Sequence, residues 1–163
     1  MTGNVVSAMI DFYAGDIQRT NHFLKVYALA KSIGECEGLP EEARQVLEIA
    51  AVTHDIGIKP SEEKYGDCTG PHQELEGPPV ARAMLHALGY APALIERVCY
   101  LIAHHHTYTD IDGLDYQILV EADFLVNLHE GECSVDAIRS VREKLFRTAA
   151  GTNYLDRMFL HGK

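Results

Sequence analysis

The chain has 163 residues, 47% of them hydrophobic, enough for one domain with a real core and too apolar for a disordered chain. Its net charge of −10 argues against a nucleic-acid backbone or an anionic membrane surface as the main partner. No apolar run approaches the roughly 20 residues of a membrane span, and Met1-Thr2-Gly3-Asn4 lacks the basic start of a signal peptide, so a cytoplasmic protein is expected.

The first strong helical pattern runs from Asp16 to Gly34, with Ile17, Phe23, Val26, Tyr27, Leu29, Ala30 and Ile33 at helical spacing and Gly34 as a stop. Leu39-Pro40-Glu41-Glu42 starts a second helix, with proline in the first turn and acids at the positive end of the dipole. That helix carries Val46, Leu47, Ile49 and Ala50 and ends in His54-Asp55. Residues 56–77 are rich in Gly, Pro, Glu, Asp and Lys and read as a long loop of the kind that forms lids or binding segments.

Pro78-Pro79 reads as the start of a helix through Met84, Leu85 and Leu88. Pro92 starts another, through Leu94, Ile95, Val98, Leu101 and Ile102, up to His104-His105-His106. A polar loop with a turn at Asp112-Gly113 follows, then helices from Tyr116 to about Glu130 and from Val135 to about Ala149. Strand signals are scarce and no repeat or linker divides the chain. The expectation is an all-α bundle of five to seven helices, with residues 1–163 forming a single domain. The four cysteines, Cys36, Cys68, Cys99 and Cys133, contain no CxxC pair and are expected to be free thiols.

Polar groups suited to metals recur on the apolar faces of these helices. His22 lies on the face of Val26, Leu29 and Ile33. His54 continues the face of Leu47, Ala50 and Ala51, with Asp55 at its edge. Asp123 sits among Leu119, Val120 and Val126. One such histidine alone is most simply a hydrogen-bonded core residue. Three helices that each turn such a group inward point to a shared site instead. A buried, unpaired carboxylate costs on the order of several kcal/mol, and a metal ion would relieve it.

Projected from the face of the preceding helix, His105 falls about 20° from its centre, His106 about 80° and His104 about 120°. His105 is therefore expected to point inward, with His106 second and His104 still open if the helix frays. His72 lies in the long loop directly after Gly70-Pro71, a dipeptide that rules out placing it inside a continuous helix.

The ordered set resembles the HD domain superfamily of metal-dependent phosphohydrolases over about residues 16–130. Arg19-x-x-His22-x-x-x-Val26-x-x-x-Ala30 looks like that family's first ligand helix, and His54-Asp55-Ile56-Gly57 like its HDIG signature. His72 with Glu76-Gly77 looks like a third block, and Glu121-Ala122-Asp123 like the last ligand. The resemblance implies that His22, His54, Asp55 and Asp123 hold a first ion. Asp55 would bridge to a second, held by His72 and one or two of His104, His105 and His106.

Iron, manganese, nickel, cobalt or zinc suit such donors. The reaction implied is hydrolysis of a nucleotide or other small phosphorylated compound, with Asp55 and His54 at its centre. Lys59, Glu76 and Tyr108 are candidates for contacts around the ligands or the substrate. Two departures stand out. Ile58 follows the HDIG motif where lysine is common, which puts a phosphate contact from Lys59 in question. The Gly-Tyr-Pro of the cyclic-di-GMP phosphodiesterase branch is missing after Asp112-Gly113. Alternatives with the same residues are a di-iron oxygenase of the HD fold and a non-catalytic nucleotide sensor. The sequence leaves room for an oligomer.

Overall fold

Asp16 caps the helix that the first pattern predicts, its carboxylate accepting the Arg19 backbone N–H at 3.0 Å. In the computed structural model, which describes residues 2–162, that helix is the second of nine α-helices. They are α1 (Thr2–Phe12), α2 (Ile17–Cys36), α3 (Glu41–Thr53), α4 (Ile58–Tyr65), α5 (Gly70–Ala87), α6 (Pro92–Ile102), α7 (Leu114–Glu130), α8 (Val135–Leu145) and α9 (Ala149–Leu155). A π-helical turn, Asp156–Leu160, follows. No strand occurs among the described residues. The all-α architecture agrees with the sequence, but the helices exceed the expected five to seven.

α3 is the hub. Its Leu47 and the run Ile49 to Thr53 are buried, and it packs against α1, α2, α6 and α7. The small side chains of Ala50 and Ala51 suit close approach of neighbouring helices. α7 is buried along most of its length and packs on α2 and α3. Phe23, Leu47, Ile49, Ile56, Leu101, Ile102 and Leu119 fill the space between them. The ends of α2, α3 and α6 and the middle of α7 thus meet around one polar spot.

Three differences from the sequence reading have physical causes. First, residues 56–77 are largely helical: α4 follows Gly57, and α5 begins at Gly70. Pro71 falls in the first turn of α5, where its missing N–H is not needed, so His72 lies inside the helix. Pro78 and Pro79 lie within α5 rather than starting a helix. Each forfeits one backbone hydrogen bond, yet the helix continues through them.

Second, the helix expected from Val135 to Ala149 breaks at Phe146. The buried Glu121 carboxylate accepts the N–H groups of Arg147 (2.7 Å) and Thr148 (2.9 Å) and the Gln117 amide (2.8 Å). Thr148 then caps α9 by accepting from the Gly151 N–H. Third, α2 passes Gly34 and runs to Cys36, and the left-handed turn falls at Gly38 (φ 69°). The four cysteines are free thiols. No described helix is long and apolar enough to cross a membrane.

Gly57 joins α3 to α5 by close contact. A Cβ there would stand 2.4 Å from the Gln73 carbonyl oxygen and 2.9 Å from the Gly77 nitrogen. Gly57→Ala is expected to cost about 1–3 kcal/mol through overpacking, a fall in Tm of several degrees. Gly3→Ala, whose Cβ meets nothing within 4 Å, serves as the control and should not lower Tm in the same thermal-unfolding measurement.

Candidate metal centre

Four side-chain atoms from three helices converge. His22 Nε2 from α2 lies 3.3 Å from His54 Nε2 at the end of α3. It lies 3.4 Å from Asp55 Oδ2 and 3.3 Å from Asp123 Oδ1 of α7. His54 Nε2 is 3.4 Å from Asp55 Oδ2 and 3.5 Å from Asp123 Oδ1. Donor atoms that share one tetrahedral ion at about 2.0–2.2 Å lie roughly 3.3–3.6 Å apart, so the spacing fits a common ion.

The imidazoles are aimed by their other nitrogens. His54 Nδ1 lies 2.8 Å from the Ala51 carbonyl oxygen, and His105 Nδ1 lies 2.7 Å from that of Ile102. His22 Nδ1 lies 2.8 Å from Glu130 Oε2. Carbonyls and carboxylates only accept, so Nδ1 carries a proton and Nε2 is the nitrogen turned to the cluster. Asp123 is held by Asn127, whose Nδ2 donates to Oδ1 at 2.8 Å. Tyr13 donates its hydroxyl to the Asp55 carbonyl at 2.7 Å.

A second group adjoins the first. Asp55, His105 and His106 bring ligand atoms within 4.8 Å of one another. His105 Nε2 lies 3.5 Å from Asp55 Oδ1, is buried, and has no hydrogen-bond partner. An orphaned buried lone pair facing a carboxylate is costly in a packed core, and a cation between them would satisfy both. Asp55 thus offers Oδ2 to the first group and Oδ1 to the second.

The proximity also moves the titrations. Burial opposes charge on His54, but the Asp55 and Asp123 carboxylates prevail and raise its pKa well above the usual imidazole value. Burial opposes charge on His22 as well, and the hydrogen bond to Asp123 and the charge of Asp55 outweigh it. Burial would raise the Asp55 pKa, yet His54 and His105 bring it well below the usual carboxylate value. Asp123 is lowered too, against burial, by His22 and His54. His106 moves the other way, pushed down to about 4 by burial and by His105. The carboxylates therefore stay anionic and His106 neutral, the forms in which such groups bind cations, while a cation at His22 and His54 would displace the proton that the carboxylates favour there.

Of the residues singled out in the sequence, His22, His54, Asp55, His105, His106 and Asp123 are brought together. His72 and His104 are not. His72 sits in the first turn of α5 with Nδ1 2.6 Å from Asp67 Oδ1 and its ring stacked on Tyr65. α6 ends at Ile102, and the turn that follows carries His104 onto Tyr100, with Nδ1 2.7 Å from the Tyr100 carbonyl oxygen.

Lys59 reaches the Phe12 carbonyl and lies over the Phe12 ring, Glu76 pairs with Lys64 and Tyr65, and Tyr108 packs edge-on against Phe124. Those three side chains do not line the cavity of about 350 Å³ above the centre.

Residues beyond the proposed ligands also hold the centre in place. Asn127 and Glu130 follow Asp123 at helical i+4 and i+7 positions, a spacing that would have marked one face of α7. Gln73 donates its amide to the Cys68 carbonyl at 2.6 Å, which turns Oε1 toward His106 Nε2 at 3.2 Å. Glu74 accepts the His106 backbone N–H at 3.0 Å. Gly70 leaves room for the His106 ring, since a Cβ there would lie 3.2 Å from it.

The HD domain family model matches residues 19–142. The fold is similar to the crystal structure of a predicted HD superfamily hydrolase from an uncultured Thermotogales bacterium, with a TM-score of 0.69 and 23% identity over 96% of this chain and 84% of that one. No curated protein matches the chain.

The turn after α6 yields a direct test. His105→Ala should lower manganese or cobalt binding in equilibrium dialysis by tenfold or more, while His104→Ala should leave it within about twofold. Equal losses would mean that the turn presents both rings to the ion.

Proposed function

This chain belongs to the HD domain family, and on that premise we propose that it is a metal-dependent phosphohydrolase acting on a small phosphorylated compound. The observation that carries the reading is the Asp55 carboxylate, set between the His22–His54–Asp123 group and the otherwise unpartnered His105 Nε2. His22, His54, Asp55 and Asp123 would hold one divalent ion, and Asp55, His105 and His106 a second. Bound ions would supply Lewis acidity toward a phosphoryl oxygen and a nucleophilic water.

The protein's own part is orientation and charge. Ala51, Ile102 and Glu130 keep the imidazole lone pairs aimed inward. Asn127 holds the Asp123 carboxylate in one rotamer. Arg19 stands in the cavity wall one helical turn before His22, held by Glu62 at 2.6 Å and Asp16 at 3.5 Å, where its charge faces an incoming phosphate. Burial of His54 and His105 keeps bulk water from the far side of the cluster. We also read residues 1–163 as one catalytic domain.

Metal removal should abolish phosphate release from p-nitrophenyl phosphate, and manganese, cobalt or nickel should restore it without oxygen. Asp55→Asn, which keeps the shape and loses the charge, should lower kcat/KM by roughly a thousandfold, about 4 kcal/mol of transition-state stabilisation. Full activity in Asp55→Asn, or a strict need for oxygen, would rule out this assignment.

A further inference from the structure

We propose that the cavity over the candidate centre selects a phosphate monoester with a single phosphate and a small body rich in hydroxyl or ammonium donors, and disfavours nucleotides. The inference rests on the phosphohydrolase reading and narrows it.

Charge is the first argument. Four carboxylates line the cavity, Asp16, Asp55, Asp123 and Glu130, against one guanidinium, Arg19, and no lysine. Lys25 already answers Glu130, so two divalent ions would set four positive charges against the three carboxylates that remain. Arg19 already meets Glu62 at 2.6 Å, and Glu130 meets Lys25, at 2.6 Å. The excess is then about one positive charge, too little for more than a single phosphate. A second or third phosphate would lie against Asp16 or Glu130, whose neighbouring cations, Arg19 and Lys25, are already paired with carboxylates.

The absence of a stacking surface is the second argument. Nucleobases are held by flat aromatic or guanidinium faces. The wall contains no Phe or Tyr, its His22 and His106 rings belong to the candidate centre, its Arg19 guanidinium is held by Glu62 and lies over Tyr13, and Ile58 is its one apolar side chain. Phe12 and Tyr13 line an adjoining hollow beyond Arg19, but both rings are covered. The Lys59 ammonium lies 5.2 Å from the Phe12 ring centroid, and the Arg19 guanidinium lies 5.6 Å from that of Tyr13. A cavity of about 350 Å³ is also near the small end for ligand sites.

The third argument is polarity. The wall is dominated by acceptors, because two of its three amides donate internally and only the exposed Gln18 is left. Gln73 Nε2 donates to the Cys68 carbonyl, and Asn127 Nδ2 to Asp123. The complementary body is one that brings its own donors to Asp16 and the neighbouring carboxylates.

The test is a panel of esters: glycerol phosphate, ribose 5-phosphate, phosphoethanolamine, AMP, ATP and p-nitrophenyl phosphate. It is read as phosphate release by the manganese-loaded enzyme and as the rise in Tm each gives the protein with and without manganese, which should be smaller for AMP and ATP than for the best small ester. At least one of the first three should exceed AMP in kcat/KM by tenfold or more, and ATP should not be hydrolysed. The polyol and phosphoethanolamine arms separate hydroxyl from ammonium recognition. AMP or ATP as the best substrate would overturn the inference and leave the phosphohydrolase reading standing. No release from any ester, p-nitrophenyl phosphate included, would overturn both.

Discussion

The structure depends on how a folded core accommodates Asp55. Its carboxylate stands just beyond the end of the central helix α3 and lies within 3.5 Å of three imidazole nitrogens, from His22, His54 and His105. Desolvation alone would drive such a group neutral. The surrounding imidazoles overrule it and keep the carboxylate charged, together with Asp123. Divalent cations in the two groups would take over that role, meeting both carboxylates and the imidazole nitrogens turned toward them.

The remaining architecture serves that constraint. α2, α3 and α7 pack directly on one another, and each contributes one edge of the first group. Backbone carbonyls at the ends of α3 and α6 fix the tautomers of His54 and His105 without extra side chains. α5 completes the second group from outside. Gly70, Gln73 and Glu74 hold His106 on three sides, and the close contact of Gly57 with Gln73 and Gly77 ties that helix to the end of α3. The donors thus rest on rigid elements, which is what a geometry good to a few tenths of an ångström requires.

Much of this was readable from residues alone. Apolar periodicity placed His22, His54 and Asp123 on inward faces, and extending the α6 face singled out His105 as the buried member of the triple histidine. What was not readable depended on tertiary context. The α4–α5 region looked like a loop because its Gly and Pro content disguises a helix that starts on Gly70-Pro71 and runs through two prolines. The α8–α9 break is imposed by Glu121, a carboxylate from a different helix, which local sequence cannot reveal. His72 and His104 each found a nearer partner, Asp67 and the Tyr100 carbonyl, and such choices are set by the packing of neighbours.

The central claim is that one carboxylate is shared by two ions. An anomalous-difference map from a crystal grown with manganese tests it most directly. The account predicts two peaks, one ligated by His22, His54, Asp55 and Asp123 and the other by Asp55, His105 and His106. A single peak that Asp55 does not touch, or none at this cluster, would contradict it.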